Sequence, residues 1–231
     1  KKYIKSKYFV IGSLKNILTK KNFKNSKKKK IVFISSARDI YNSKLKNNTD
    51  KNELLSSYVN YEKKIIKNLF IYCNNKGYKF NILSKLGSAE EKNYFKRIIL
   101  SNNFNFIKTK IPQKYTLLEN YELTVSIFSS LAIENFSLGR KSIFFPPRNK
   151  ISINRFDDLN FSWPNKTADN LFYFYRDPTF FTMSKIIDNT LKLNNQEWKQ
   201  RTISLNKIIK NISLSQLDKI IKKNLPELFS K

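Results

Sequence analysis

The apolar residues of this chain change their period along its length. Ile31-Val-Phe-Ile-Ser35 is a nearly unbroken apolar run, the pattern of a central parallel strand buried on both faces. Tyr41 to Glu53 is polar and Asn-rich and reads as a loop. From Ser57 the spacing becomes helical: Val59, Ile65, Ile66, Leu69, Phe70 and Cys73 recur on one side, and Lys76-Gly77 closes the helix. Lys79 to Ser84 predicts a second strand. Ser88-Ala-Glu-Glu91 has the Ser-x-x-Glu form of a capping box and opens a helix through Tyr94, Phe95, Ile98 and Ile99. Phe104 to Ile107 predicts a third strand, followed by a loop around Pro112 and a short helix near Tyr115 to Leu118.

Leu123 to Pro146 is the most informative stretch. Leu123, Val125 and Ile127 alternate as a strand, whereas Leu131, Ile133, Phe136 and Leu138 have the spacing of a short helix's buried side. Ser129 or Ser130 is a natural N-cap, Gly139 a natural stop, and Ser142 to Phe145 the next strand. A helix that begins at the carboxyl end of a parallel strand presents free N–H groups to an anion. Glu134 lies about one turn further on, within reach of a ligand's hydroxyls. Phosphate at the serines and a diol at the carboxylate is the arrangement a nucleotide requires.

The flanks carry less pattern. Tyr8 to Ile11 predicts a strand ending at Gly12-Ser13, and Lys15 to Lys30 is a lysine-rich stretch read as a solvated linker. Arg148 to Lys166 reads as a loop, Leu171 to Tyr175 as a last strand, and Asp177-Pro178 as the start of a helix through Met183, Ile186, Ile187 and Leu191. Amphipathic helices are expected around Trp198 to Ile209 and Ser215 to Lys223. Strands alternate with helices from Ile31 to Phe145, which argues for an α/β fold: a parallel sheet flanked by helices, with ligands at the carboxyl ends of its strands. The expected organisation is residues 1–30 as the end of an N-terminal domain plus linker, 31–194 as a Rossmann-like domain, and 195–231 as C-terminal helices. Because the chain opens in mid-pattern, it is expected to be the C-terminal part of a longer protein. An initiator codon immediately upstream of Lys1 in the coding sequence would overturn that expectation.

Charge modifies this picture only slightly. Lys plus Arg number 45 against 17 acids, giving +28, a balance that attracts nucleic acid or an anionic membrane surface. The lysines are scattered, however, with Lys27 to Lys30 the only solid block, and abundant Lys, Asn, Ile, Phe and Tyr point to an AT-rich genome. Nucleic acid is therefore disfavoured as a partner. Cys73 is the only cysteine, so the chain holds no disulfide, which fits a reducing cytoplasm. No apolar run approaches the roughly 18 to 20 residues that span a bilayer.

With no histidine and one cysteine, the chain offers neither a Ser-His-Asp triad nor the usual zinc ligands. Gly-x-Gly-x-x-Gly and the Walker lysine loop are also missing, which argues against a dinucleotide oxidoreductase and a P-loop phosphotransferase. Groups that bind phosphate remain. Arg38 follows the first strand, Lys85 the second, and Ser129 and Ser130 the fourth, so a parallel sheet brings all of them to one rim. A guanidinium, an ammonium and helix N–H donors around one cavity suit a diphosphate, the helix end contributing about 0.3 to 2 kcal/mol. Plainer roles compete: a surface salt bridge for Arg38, a solvated side chain for Lys85, simple capping for the serines, and a lysine-paired surface carboxylate for Glu134.

Ile31-Val-Phe-Ile-Ser-Ser-Ala-Arg-Asp39, the Gly12-Ser13 turn, Lys85 to Glu91 and Ser126 to Pro146 together resemble bacterial surface carbohydrate (O-antigen) biosynthesis proteins. More distantly they resemble the C-terminal domains of GT-B enzymes, including CDP-glycerol glycerophosphotransferases and UDP-GlcNAc 2-epimerases. The resemblance runs from about Tyr8 to Phe145. It implies the C-terminal half of a GT-B fold, in which this Rossmann-like domain binds the nucleotide of an activated donor. It further implies phosphate contacts at Ser129 and Ser130, ribose recognition by Glu134, and Arg38 as the arginine after the first strand. Histidines that several of these families carry are absent, with Lys85 at a comparable position, and the catalytic base is expected in the N-terminal domain.

The resulting expectation is a nucleotide-sugar-dependent transferase in surface polysaccharide assembly, needing no cofactor or metal. Its partners would be the nucleotide-sugar donor and a glycan or lipid-linked acceptor, in the cytoplasm with peripheral contact to the inner membrane surface. Two alternatives stand beside it. An epimerase of the same fold would isomerise donor without acceptor, and a basic RNA- or anionic-lipid-binding module would bind any polyanion with steep salt dependence.

Overall fold

The structure, a computed structural model, describes residues 29–35, 49–109, 113–127, 129–147, 173, 175–208, 219, 222 and 223. The expectations for residues 1–28, 36–40 and 148–172 lie outside them. Five strands, β1 (Lys30–Ile34), β2 (Lys79–Leu83), β3 (Asn105–Ile107), β4 (Leu123–Ser126) and β5 (Ser142–Phe144), form one parallel sheet in the order β3-β2-β1-β4-β5. Between and after them come helices α1 (Thr49–Lys76), α2 (Ala89–Ile99), α3 (Gln113–Leu118), α4 (Ser130–Ser137), α5 (Phe180–Lys192) and α6 (Asn195–Ile208). The expected α/β Rossmann-like sheet flanked by helices is the observed architecture.

Register explains why β1 carries the most apolar sequence. It lies between β2 and β4, with Ile31 opposite both Phe80 and Leu123, so both its edges are paired, and helices cover both its faces. Ile31 and Phe33 pack with Ile65, Leu69, Phe95 and Met183 from α1, α2 and α5. Val32 and Ile34 face the other way, onto Leu118, Phe136 and Trp198 from α3, α4 and α6. Each such side chain contributes about 1.5–3 kcal/mol of burial free energy. Beyond β5, Phe144 N–H donates to Tyr173 O (2.7 Å) and Tyr175 N–H donates to Phe144 O (3.0 Å), continuing a parallel ladder where the last strand is expected.

Local signals hold at the helix ends. Ser88 Oγ accepts from Glu91 N–H as the capping box requires (3.1 Å), and Gly77 (φ +68°) and Gly139 (φ +80°) take the left-handed conformation that ends a helix. Two expectations need correction. α1 begins at Thr49, inside the stretch read as a loop, because Thr49-Asp-Lys-Asn-Glu53 is wholly polar and leaves no apolar period to read. On α4 the buried positions are Ala132, Asn135, Phe136 and Ser137, with Leu131 and Ile133 only half-buried on the flanks.

Candidate functional site

The sheet reverses its direction of growth between β1 and β4, where an open α/β sheet forms a crevice outside its carboxyl ends. Ile34 pairs with Ser126 there, so the turn into α4 starts beside the end of β1. Ser129 is the N-cap, in extended backbone (φ −149°, ψ 124°), and its carbonyl accepts from Ala132 N–H (3.1 Å) and Ile133 N–H (3.2 Å). Its hydroxyl makes no capping hydrogen bond. Simple capping therefore does not account for that side chain. Ser130, the first helical residue, is exposed, and the first-turn N–H groups carry the partial positive charge of the helix end.

The neighbouring rim position, after β2, is already occupied by an anion of the protein's own. Glu91, fully buried, accepts from three consecutive backbone donors: Lys85 N–H to Oε1, and Leu86 and Gly87 N–H to Oε2, each at 3.0 Å. The loop that carries Lys85 is thus rigid, and its backbone donors are spent on Glu91. Lys85 keeps an exposed side chain. Beside it, Lys114 of α3 donates to Ser84 O (2.9 Å). Burial lowers the Lys114 pKa, the Glu91 carboxylate opposes that shift, and the Lys85 charge adds to it. Two lysines and one buried carboxylate therefore share this corner.

Glu134 lies on the flank of α4 turned towards α3. The Tyr115 hydroxyl donates to its Oε2, a partner different from the lysine considered above. Burial, followed by this bond, raises the Tyr115 pKa. Lower on the same pair of helices, Arg140 donates to Tyr115 O (2.9 Å), Asn135 Oδ1 (3.1 Å) and Glu119 Oε1 (2.6 Å), clamping α3 to α4. Asn135 in turn donates to Thr124 Oγ1 (3.0 Å) and Ser142 Oγ (3.1 Å), fixing α4 on β4 and β5. These bonds fix the second half of α4, and no side-chain cap holds its start.

Ser129 and Ser130 thus stand next to the end of β1, and Lys85 stands two strands away, roughly 10 Å at the usual strand spacing. Glu134 is one helical turn below the serines, and Arg38 lies outside the described residues. Reading the sequence missed Lys114 and Tyr115, which sit on a helix too short for periodicity to orient, and the destination of Glu91. It also missed Ser126 and Ser35, whose buried hydroxyls have no hydrogen-bond partner. Only the strand order gives those two serines a common location.

Among the described residues no cluster of three or more Asp, Glu or Cys side chains could hold a metal ion, and no helix is long and apolar enough to cross a membrane. What the rim offers is a helix N-terminus, hydroxyls and ammonium groups, a set that binds an oxyanion. Residues 1–225 match the model of a family described as "putative O-antigen biosynthesis protein". No curated protein and no solved structure matches the chain.

Proposed function

The chain belongs to this O-antigen biosynthesis family, and from that premise we propose that it is the donor-binding part of a nucleotide-sugar-dependent transferase in surface polysaccharide assembly. The observation that carries the proposal is the start of α4 at the β1/β4 reversal, with Ser129 left out of its own cap. In this reading Ser129, Ser130 and the first-turn N–H groups hold the donor's phosphates. Lys85 and Lys114, together with Arg38, which follows β1 in the sequence, neutralise the charge that grows on the leaving nucleotide as its bond to the sugar breaks. Glu134, oriented by Tyr115, accepts from the ribose hydroxyls. A glycan or lipid-linked acceptor and the catalytic base belong to a second domain of the same GT-B-like enzyme.

Calorimetric titration of the full chain with UDP, CDP, GDP and dTDP tests this. Binding of one of them is expected, and Glu134→Ala is expected to weaken it about tenfold or more, since a hydrogen bond to a charged group contributes roughly 1.5 to 3 kcal/mol. Unchanged affinity in the folded variant would remove Glu134 from the site. No affinity for any nucleotide, combined with salt-sensitive binding to heparin or anionic vesicles, would replace the transferase by a polyanion-binding module, the class that the +28 charge favours.

A further inference from the structure

Ser126 Oγ and Ser35 Oγ are buried, their residues 0% and 4% exposed, and neither has a hydrogen-bond partner. Leaving a buried hydroxyl unpaired is unfavourable, and nearly all buried polar atoms in proteins avoid it. Ser184 and Thr190 also lack partners, but they lie separately along α5, where no strand ends converge. Ser126 and Ser35 share one place. Ile34 pairs with Ser126, so Ser35 is the next residue beyond that pair, and the two serines end the adjacent strands that flank the reversal of the sheet.

Alternation puts Ser126 on the same face as Thr124, which Asn135 of α4 holds at 3.0 Å, and therefore under the first turn of α4. Ser35 continues the face of Ile31 and Phe33, towards α1. Its N–H is committed to Leu83 O at 3.0 Å, which leaves the hydroxyl as its open donor. Ser126 therefore lies on the α4 side of the sheet, below the N-terminus of that eight-residue helix, and Ser35 lies on the opposite side, each at the carboxyl end of its strand.

We infer that Ser126 and Ser35 donate to the two phosphoryl groups of a nucleoside diphosphate, Ser126 to the one seated on the α4 N-terminus and Ser35 to the one nearer β1. This rests on the donor-binding function proposed above and deepens it in two ways. It assigns two residues to the site, and it makes the ligand a diphosphate in preference to a monophosphate, because a single phosphoryl group cannot satisfy donors on both sides of the sheet. The apolar surroundings strengthen both bonds once the ligand excludes water.

The test compares wild type, Ser126→Ala, Ser35→Ala and the nearly isosteric, weakly donating Ser126→Cys, by thermal melting without ligand and by calorimetry. The probes are UDP, CDP, GDP and dTDP, each with its monophosphate. Melting without ligand is expected to stay unchanged or rise in all three variants, since each removes or weakens an unpaired buried donor. Affinity for the diphosphate that wild type binds best is expected to fall about tenfold in Ser126→Ala and Ser126→Cys. Ser35→Ala should lose a similar factor for the diphosphate while monophosphate binding is retained. Equal diphosphate affinity in the variants, or loss of the fold in both Ser126 variants, overturns the inference while donor binding by wild type stands. A wild type that binds no diphosphate overturns both.

Discussion

Glu91 illustrates how far a residue can be read from its neighbours in sequence. The Ser-x-x-Glu spacing identifies Ser88 as a cap, and Ser88 does accept from Glu91 N–H. The spacing does not reveal that the Glu91 carboxylate turns into the loop after β2 and accepts three backbone N–H bonds there. Removing it strands buried donors, so Glu91→Ala is expected to destabilise the fold by about 2–4 kcal/mol. Urea denaturation at constant m-value measures this. A loss under 0.5 kcal/mol would show that water replaces the carboxylate without cost. Cys73 is the opposite case, a residue whose burial was legible from the helical period of α1. Burial pushes its thiol up to about 12, so at pH 8 only about one thiol in ten thousand is ionised. The folded chain is expected to leave a disulfide reagent unreacted until denaturant is added; stoichiometric reaction of the native protein would contradict this. The sign for stability follows: the contribution of the raised thiol is full below about pH 8.5 and is lost as pH climbs towards 12.

At the scale of elements, the helices divide by what anchors them. α1 is tied to Asp188 of α5 by a hydrogen bond from the hydroxyl of the buried Tyr72 and an ion pair from Lys76, and to Asp177 just before α5 by an ion pair from Lys64; the two ion pairs are exposed or half-exposed and add little beside the burial of Leu69, Met183 and Ile187. Among the described side chains of α6, Trp198 is the large apolar anchor. Trp198 is fully buried, with its ring edge-on to Phe136 at 5.8 Å, and Phe136 belongs to the buried side of α4. Trp198→Ala is expected to cost about 3–5 kcal/mol. It should also loosen the start of α4, so nucleotide affinity should fall although Trp198 lies outside the candidate site. Retained melting temperature together with retained affinity would show that α6 is dispensable. The sequence predicts this helix well, from Trp198 onwards, because Trp198, Ile203, Leu205 and Ile208 recur in a polar stretch. Which helix that tryptophan meets is a matter of chain crossing, invisible to any local pattern.

For the whole molecule, the excess of 28 positive charges sets the response to solution conditions. Self-repulsion destabilises a compact chain of one sign, and salt screens it over about 8 Å at physiological ionic strength. The melting temperature is therefore expected to rise between low salt and 0.3 M NaCl, with sulfate more effective than chloride at equal ionic strength. A flat or falling curve would mean that specific ion pairs outweigh the net charge. The same field attracts a phosphorylated donor, so the nucleotide association rate is expected to fall over the salt range in which stability rises.

The sequence by itself determined the elements and their class. An apolar run with β-branched residues, helical spacing around Ile65 and Tyr94, a capping serine and two closing glycines specify a parallel α/β sheet, because each of these signals acts within a few residues. It also determined that Ser129 and Ser130 open a helix after a strand. Only the tertiary structure decided that β4 lies against β1. Strand order depends on which apolar faces meet after the chain crosses the sheet, and the β3-to-β4 connection carries no residue that states its destination. Had β4 paired with β3, the serines would stand three strands, roughly 14 Å, from the end of β1. The observed order removes that gap, sets Ser35 and Ser126 on neighbouring strand ends, and places the start of α4 beside the end of β1.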